Sequence, residues 1–216
     1  MTYQQLLGEC QFCSVVSKAN GEDPIGTVNK ADIYLIMEIP LPWTEQRLLG
    51  NPLIKIVLGF VKELHQQNIR VTPLAIAPDK EYSLSGYSRV IYYRRRTQYE
   101  ANFEKQEFLV SENQLSQLVT TLLQHPDKIN QFEPYRQRNS CIREFMVCTH
   151  GNVDAACARF GFPIYQKLRQ EYTAKSDGGL RVWRCSHFGG HQFAPTCLDL
   201  PTGQFWGHLE PEILDN

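Results

Sequence analysis

Two apolar runs separated by a helical pattern constrain the fold of this chain most strongly. The runs cover residues 32–39 and 71–77, and both are continuous, which is typical of strands buried on both faces. Between them, apolar residues recur at helical spacing after the start signal Asn51-Pro52. Strands joined through a helix pair in parallel, with a right-handed crossover. The first part of the chain is therefore predicted to be α/β.

The remaining patterns predict a second unit of similar kind. The first half is completed by strands at 88–96 and 107–110 and a helix at 114–125, followed by a polar linker at 126–140. The second half shows a strand at 144–151, a helix at 155–172 that Gly161 and Pro163 are expected to kink or split, and strands at 180–185, 193–200 and 204–209. This β-α-β-β-β order is that of a thioredoxin-like unit without its closing helix.

We therefore expect an α/β protein of two regions. Residues 139–216 form a thioredoxin-like domain, packed on an N-terminal α/β region at 1–138 that can itself be thioredoxin-like. The two halves share no residue-level repeat.

Composition limits the classes of function. The formal net charge of −1 gives no long-range attraction to nucleic acid or anionic lipid. The arginines at 94–96 are interpreted as a charged strand end. No apolar run reaches the roughly 20 residues that span a bilayer, and residues 1–5 do not resemble a signal peptide. These features predict a cytoplasmic protein that binds neither nucleic acid nor membranes.

Seven cysteines are many for a reducing compartment, and an odd number argues against a disulfide framework. Cys10 and Cys13 form a C-x-x-C pair that could serve a thiol oxidoreductase, although it does not clearly join a strand to a helix. Cys141 and Cys197 are predicted to be core or surface thiols. Five of the seven cysteines and four of the six histidines follow position 140, which points to chemistry in the second half.

Two cysteines and two histidines are predicted to meet at the strand ends of the second unit. Cys148 ends the first strand, and Cys157 opens the helix. His187 and His191 follow the next strand and flank Gly189-Gly190, which favours a tight loop over a helix. Loops after neighbouring parallel strands lie side by side, so this is a metal-binding constellation. The pattern by itself fits zinc or a [2Fe–2S] cluster.

The same residues resemble a known family. Cys148-Thr149-His150-Gly151 with Cys157, followed by Ser186-His187-Phe188-Gly189-Gly190-His191, is similar to the sucrase/ferredoxin-like family. Residues 21–27, Glu38 and Pro42-Trp43 extend the likeness over most of the chain. Members of this family are thioredoxin-like ferredoxin relatives with an H-x-G-G-H element.

The resemblance implies a [2Fe–2S] cluster bound by two cysteines and two histidines. The ligands carried over are Cys148, Cys157, His187 and His191. Gly189 and Gly190 would bring backbone close to the cluster. Cys185 and His150 are the alternative ligands, and His208 is assigned a structural role.

The predicted function is electron transfer or redox sensing, with redox proteins as partners. No pair of carboxylates suits glycoside chemistry, so the sucrase part of the family name finds no support, and an electron carrier is favoured over an enzyme. Two alternatives remain: a zinc-stabilised interaction domain with the same four ligands, and a thiol oxidoreductase using Cys10 and Cys13.

Overall fold

The computed structural model describes residues 12–97, 100, 102–138 and 143–215. The first half contains α1 (Cys13–Ala19), β1 (Ile33–Glu38), α2 (Glu45–Gly50), α3 (Pro52–Gln66), β2 (Val71–Ile76), β3 (Tyr87–Arg94), β4 (Glu104–Ser111), α4 (Glu112–Gln124) and a 3-10 helix (Pro126–Tyr135). The second half contains β5 (Arg143–Cys148), α5 (Ala155–Lys167), a π turn (Leu168–Tyr172), β6 (Leu180–Cys185), a 3-10 helix (His191–Phe193), β7 (Cys197–Leu200), β8 (Gln204–Trp206) and a 3-10 helix (Pro211–Asp215). The α/β prediction is confirmed. Within the described part, every helix is too short or too polar to cross a membrane.

All eight strands form one mixed sheet in the order β4-β3-β1-β2-β6-β5-β7-β8. The pairs β1–β2 and β5–β6 are parallel, and the remaining pairs are antiparallel. Each half therefore has the order β-α-β-β-β, and the halves meet through β2 and β6. An antiparallel junction with mirrored strand order is what a two-fold axis perpendicular to the sheet produces. The halves share a topology without a shared sequence repeat.

The predicted boundary between 138 and 139 lies beside residues outside the described part and stays a prediction.

Several predicted boundaries were wrong. The polar linker is instead a 3-10 helix that buries Phe132 in the core. Gly161 and Pro163 do not split α5, which runs through both and continues into the π turn. The strand expected from residue 193 begins only at Cys197, because Pro195 has no N–H to donate and a 3-10 turn precedes it.

Strand alternation separates an outer face of the sheet from an inner one. The outer face is covered by helices: α3 and α4 pack on the first half, and α5 packs on the second. The inner face carries a single apolar cluster from both halves, including Ile36, Ile76, Met146 and Trp183. Loop side chains such as Tyr82 cover this cluster. The two halves therefore share one apolar core on the inner face of the sheet.

The junction between β2 and β6 is short. Ile76 and Cys185, the last residues of the two strands, are its one registered pair. Backbone bonds from Ala77 N to Arg184 O (3.0 Å) and from Ser186 N to Ala75 O (2.8 Å) flank that pair. The Ser186 hydroxyl also accepts a bond from Ala75 N at 2.9 Å. The start of the loop after β6 is thereby fixed to β2.

A buried network of charges joins the halves on the inner face. The Arg181 guanidinium donates to both carboxylate oxygens of Glu107, at 2.9 and 2.6 Å, and also to Glu144. Lys105 and Arg89 pair with Glu107 as well. Glu107 lies on β4 and Arg181 on β6, and these strands are not neighbours in the sheet. The sheet must therefore curve so that the inner sides of β4 and β6 come together. Burial alone would raise the pKa of Glu107, but Arg181, Lys105 and Arg89 outweigh it and hold this pKa well below its usual range.

We predict that Glu107→Gln destabilises the fold by about 3–5 kcal/mol near neutral pH, because buried Arg89 and Arg181 and partly buried Lys105 all lose a shared counter-charge. A lowered folded-state pKa contributes stability above the ordinary carboxyl pKa of about 4.3, and that stability is lost as the pH falls. The variant should therefore also show a flatter decline of stability with acid. Urea unfolding at pH 7 and at several lower pH values measures both effects.

The matched control is Glu133→Gln. Glu133 pairs with Arg136 and Arg138 at the surface, where solvent screens the charges, so its loss should leave the unfolding midpoint almost unchanged. Equal effects of the two substitutions would contradict a structural role for the buried network.

Candidate metal centre

The parallel pairing of β5 and β6 brings two chain segments to one edge of the sheet. Cys148 and Cys185 end the two strands and are register partners. The Thr149 N–H donates to the Cys185 carbonyl at 3.1 Å, which keeps the segments together just beyond the strands. His187 follows Cys185 by two residues and therefore lies beside the end of β5. The predicted proximity of the two loops is confirmed.

A close helix–strand contact brings Cys157 to the same place. Asp154 caps α5 by accepting a hydrogen bond from Ala156 N at 2.7 Å, so Cys157 lies in the first turn. Gly161, one turn later, lies against the end of β5: a Cβ atom there would stand 2.1 Å from the Cys148 carbonyl oxygen. Only glycine permits this approach. Gly161, which was predicted from the sequence to kink or split the helix, is instead required for this close packing.

Three of the four predicted ligands converge. One donor atom each from Cys148, Cys157 and His187 lies within 4.8 Å of the others. The Nδ1 atom of His187 is 3.8 Å from both sulfur atoms. Both cysteines are buried and His187 is half-buried. A soft, mixed sulfur and nitrogen donor set of this kind suits zinc, copper or an iron–sulfur cluster.

The Cys157 thiol is protonated in the absence of a cation. The hydrogen bond with Cys148 and then burial raise the pKa of Cys157 far above its ordinary value, against a smaller opposing effect of His187. A metal binds the thiolate, so its positive charge must displace this proton. The arrangement predicts that metal uptake releases protons and is favoured by higher pH.

His191 lies next to this group, on its solvent side. The side chain is exposed, and its ring centre is 6.1 Å from that of His187. Gly189 and Gly190 between them have φ angles of +103° and +69°, and Gly190 precedes the 3-10 helix that begins at His191. The predicted glycine loop is thus observed, and it requires glycine for its backbone conformation.

His150 holds His187 in place. Its ring is buried, with Nε2 2.6 Å from the Trp43 carbonyl oxygen and Nδ1 accepting the His187 N–H at 3.3 Å. A carbonyl can only accept, so the proton is on Nε2 and both ring nitrogens are occupied. Burial lowers the pKa of His150 and so favours this neutral form. The alternative in which His150 is a ligand loses support, and the residue instead positions the backbone of His187.

The remaining thiols lie elsewhere. Cys185 is fully buried in the inner core and lies outside the converging group. Cys197 is a core thiol, as predicted. Cys13 is exposed at the start of α1, whereas Cys10 and Cys141 lie outside the described residues. The contact of Trp43 with His150 was missed from the sequence, although Pro42-Trp43 was part of the family likeness.

We predict that Gly161→Ala lowers metal content and destabilises the protein by about 1–3 kcal/mol, because its methyl group would collide with the backbone of Cys148. Measurements are metal content per protein and urea unfolding. Gly59→Ala is the control: Gly59 lies within α3, and nothing lies within 4 Å of the place that the added methyl group would take. Alanine there should stabilise the helix by up to about 1 kcal/mol. A Gly161→Ala protein with full metal content and unchanged stability would contradict the packing argument.

Comparison with known proteins gives one match. Neither the curated proteins nor the solved structures include a match to the chain. The model of the sucrase/ferredoxin-like family matches residues 24–216, which is most of the chain and includes the whole region around Cys148, Cys157, His187 and His191. The resemblance read from the motif is confirmed, and the chain belongs to the sucrase/ferredoxin-like family.

Proposed function

We propose that this protein carries one [2Fe–2S] cluster, bound by Cys148, Cys157, His187 and His191, and acts in electron transfer or redox sensing with partner proteins. The observation that carries the proposal is the convergence of two buried thiols and the His187 Nδ1 atom within 4.8 Å, with the ring of His191 beside them. When bound, such a cluster supplies one-electron oxidation and reduction.

The four proposed ligands increase in solvent exposure from the cysteines to His191, and this gradient supports the proposal. Cys148 and Cys157 are 0 and 1% exposed, His187 is half-buried, and His191 is exposed. The thiolates would be shielded from solvent and oxidants, whereas the histidine edge faces outward. With Nδ1 of His187 directed toward the sulfur atoms, its Nε2 is left to exchange a proton. Electrons and protons would therefore enter at the histidine edge.

The charges of the ligands favour a moderately high reduction potential. Two thiolates cancel the double positive charge of two ferric ions and two sulfides, and two neutral imidazoles add none. An all-cysteine set would leave a charge of −2. An electron is added more easily to a neutral centre, so the potential should lie above that of plant-type ferredoxins.

One observation favours a second candidate, a zinc-stabilised interaction domain with the same ligands. For tetrahedral zinc the expected separation between a bound sulfur and a bound nitrogen is about 3.6 Å. The His187 Nδ1 atom lies 3.8 Å from each sulfur, which is close to that value. The two candidates differ in metal, colour and redox activity, and chemical analysis separates them.

If the [2Fe–2S] proposal is correct, protein purified without oxygen should be red-brown and should contain two irons and two sulfides per chain. The reduced protein should give an electron paramagnetic resonance signal with a low average g value, which reflects histidine ligation. His191→Ala should lose most of the iron. His125→Ala is the control, because His125 is exposed and follows α4, away from the site.

A colourless protein that contains zinc and no iron would reject the cluster and support the zinc domain. Full iron content in the His191→Ala protein would instead remove His191 from the ligand set and leave three ligands to be completed by another group.

We predict that the reduction potential falls as pH rises, because reduction raises the affinity of the outer histidine nitrogens for protons. The slope should approach about 60 mV per pH unit where one proton accompanies one electron. His187→Cys should lower the potential and flatten the slope, since it replaces a neutral, protonatable ligand by a thiolate. Potentiometric titration at several pH values is the measurement, and a potential independent of pH would exclude histidine from the metal.

A further inference from the structure

The first part of β2 has an open edge beside the loop from His187 to His191. Backbone groups of alternate residues in a strand point to opposite neighbours. Ala75 points toward β6, since its carbonyl accepts a hydrogen bond from Ser186 N at 2.8 Å. Val71 and Pro73 therefore point the same way. The two strands are antiparallel and meet only at their carboxyl ends, so within the described part of the chain no backbone bond reaches Val71 or Pro73 from that side.

The counterpart of this edge in the other half is covered. By the two-fold relation of the halves, the loop after β2 corresponds to the loop after β6. The loop after β2 folds over β6, where the ring of Tyr82 lies 4.8 Å from that of Trp183 and 5.9 Å from the Arg181 guanidinium. The loop after β6 turns toward the candidate metal centre, where His187 contacts both thiols. The beginning of β2 is therefore left without the cover that β6 has.

A cavity of about 540 Å³, the β2 slot, lies along this open edge. Residues 71–73 form one side of it, and residues 188–190, which follow on from β6, form the opposite side. Residues 24–29 and parts of 203–207 complete its walls. The β2 slot thus occupies the place where β6 would have continued to pair with β2, and the backbone of Val71 and Pro73 faces it.

The open edge offers two carbonyl groups and one N–H group, because proline has no N–H to donate. The carbonyls of Val71 and Pro73 are about 7 Å apart, which is the repeat of alternate residues in a strand. A second extended chain presents its N–H groups at the same spacing. The missing N–H discourages indiscriminate pairing at the edge, so selectivity comes from the walls of the slot.

We propose that the β2 slot binds a short, extended, uncharged segment of a partner polypeptide, which adds to the sheet as a strand beside residues 71–73. Backbone pairing with an open strand edge is a common mode of peptide recognition: the main-chain bonds give affinity, and the surrounding side chains give specificity. The segment donates N–H groups to the carbonyls of Val71 and Pro73 and accepts a bond from Val71 N.

The walls of the slot match an uncharged segment with apolar side chains. All residues that line it are uncharged, and they include Phe188, Phe193 and Phe205. Ile25, which is 84% exposed, and Trp206, which is 41% exposed, line it as well. Exposed apolar side chains grouped around one groove are characteristic of interaction sites. A charged side chain of the partner would find no opposite charge among the lining residues.

The β2 slot adjoins the candidate metal centre. Gly189 and Gly190 line it and lie between His187 and His191 in the chain, so a bound segment comes within about 10 Å of both proposed ligands. Docking there brings a partner to the histidine edge at which electrons would enter. This role in docking rests on the proposed function, whereas binding of the segment does not.

The test uses a capped pentapeptide of alternating valine and threonine as the probe, with binding measured by calorimetry on the full chain. A second peptide of the same sequence carries N-methyl groups on its three central residues, so these residues cannot donate hydrogen bonds to the edge carbonyls. The unmodified peptide should bind about tenfold more tightly than the N-methylated one, as expected for the loss of one or two hydrogen bonds.

Two substitutions change the slot in opposite directions. Pro73→Val restores the missing N–H and should tighten peptide binding about three- to tenfold, a gain that misfolding cannot produce. Its control is Pro126→Val, because Pro126 is exposed at the start of the 3-10 helix after α4 and does not line the slot. Trp206→Ala removes part of a wall and should weaken binding about tenfold. Leu58→Ala, which is similarly exposed on α3, should leave binding unchanged.

No binding of the unmodified peptide, equal binding of the N-methylated peptide, or unchanged affinity in both Pro73→Val and Trp206→Ala would overturn the proposal. Binding of naphthalene but not of the peptide would assign the slot to a small apolar molecule and overturn it as well. So would dimerisation that Trp206→Ala abolishes, without peptide binding, because a second copy of the chain would then be the occupant. Peptide binding by a protein that lacks iron would support the slot and reject only the cluster, so the two failures are distinguishable.

Discussion

The narrow junction between β2 and β6 is the constraint on which the rest of this structure depends. One registered pair, Ile76 with Cys185, joins two four-stranded halves into a single sheet. The Ser186 side chain extends the junction by bonding to Ala75 N. His187 is the next residue. The hydrogen bonds that unite the halves therefore also determine where the loop from His187 to His191 leaves the sheet.

The position of a candidate ligand thus depends on residues far away in sequence. His187 is oriented by His150, and His150 by the carbonyl of Trp43, which belongs to the first half. Cys157 approaches Cys148 because Gly161 lets α5 lie on the end of β5. The candidate ligand His187 is positioned by His150 and Trp43, and the candidate ligand Cys157 by a glycine of its own helix. This is the usual means by which proteins fix the geometry of a metal site.

The sequence predicted the parts of this protein that local patterns encode. Continuous apolar runs marked β1 and β2, helical spacing marked α3, and the glycine pair marked the histidine loop. Apart from the approach of His187 to Cys148 and Cys157, contacts over long separations were not visible. Gly161 looks like a helix breaker until the carbonyl beneath it is known, and nothing local signals that Glu107 meets Arg181. The shared β-α-β plan of the halves was expected from the strand and helix patterns, but the mirrored strand order and the pairing of β2 with β6 were not.

The contact between Trp43 and His150 has a consequence for how the protein matures. Residues that support the candidate metal centre are spread from Trp43 to His191, so the site has a high contact order and is completed only after the two halves have docked. A zinc finger is too small to fold without its metal, whereas here the two halves bury a large shared apolar core. If the candidate centre takes up a metal, insertion should therefore be a late step, performed on a chain that is already folded.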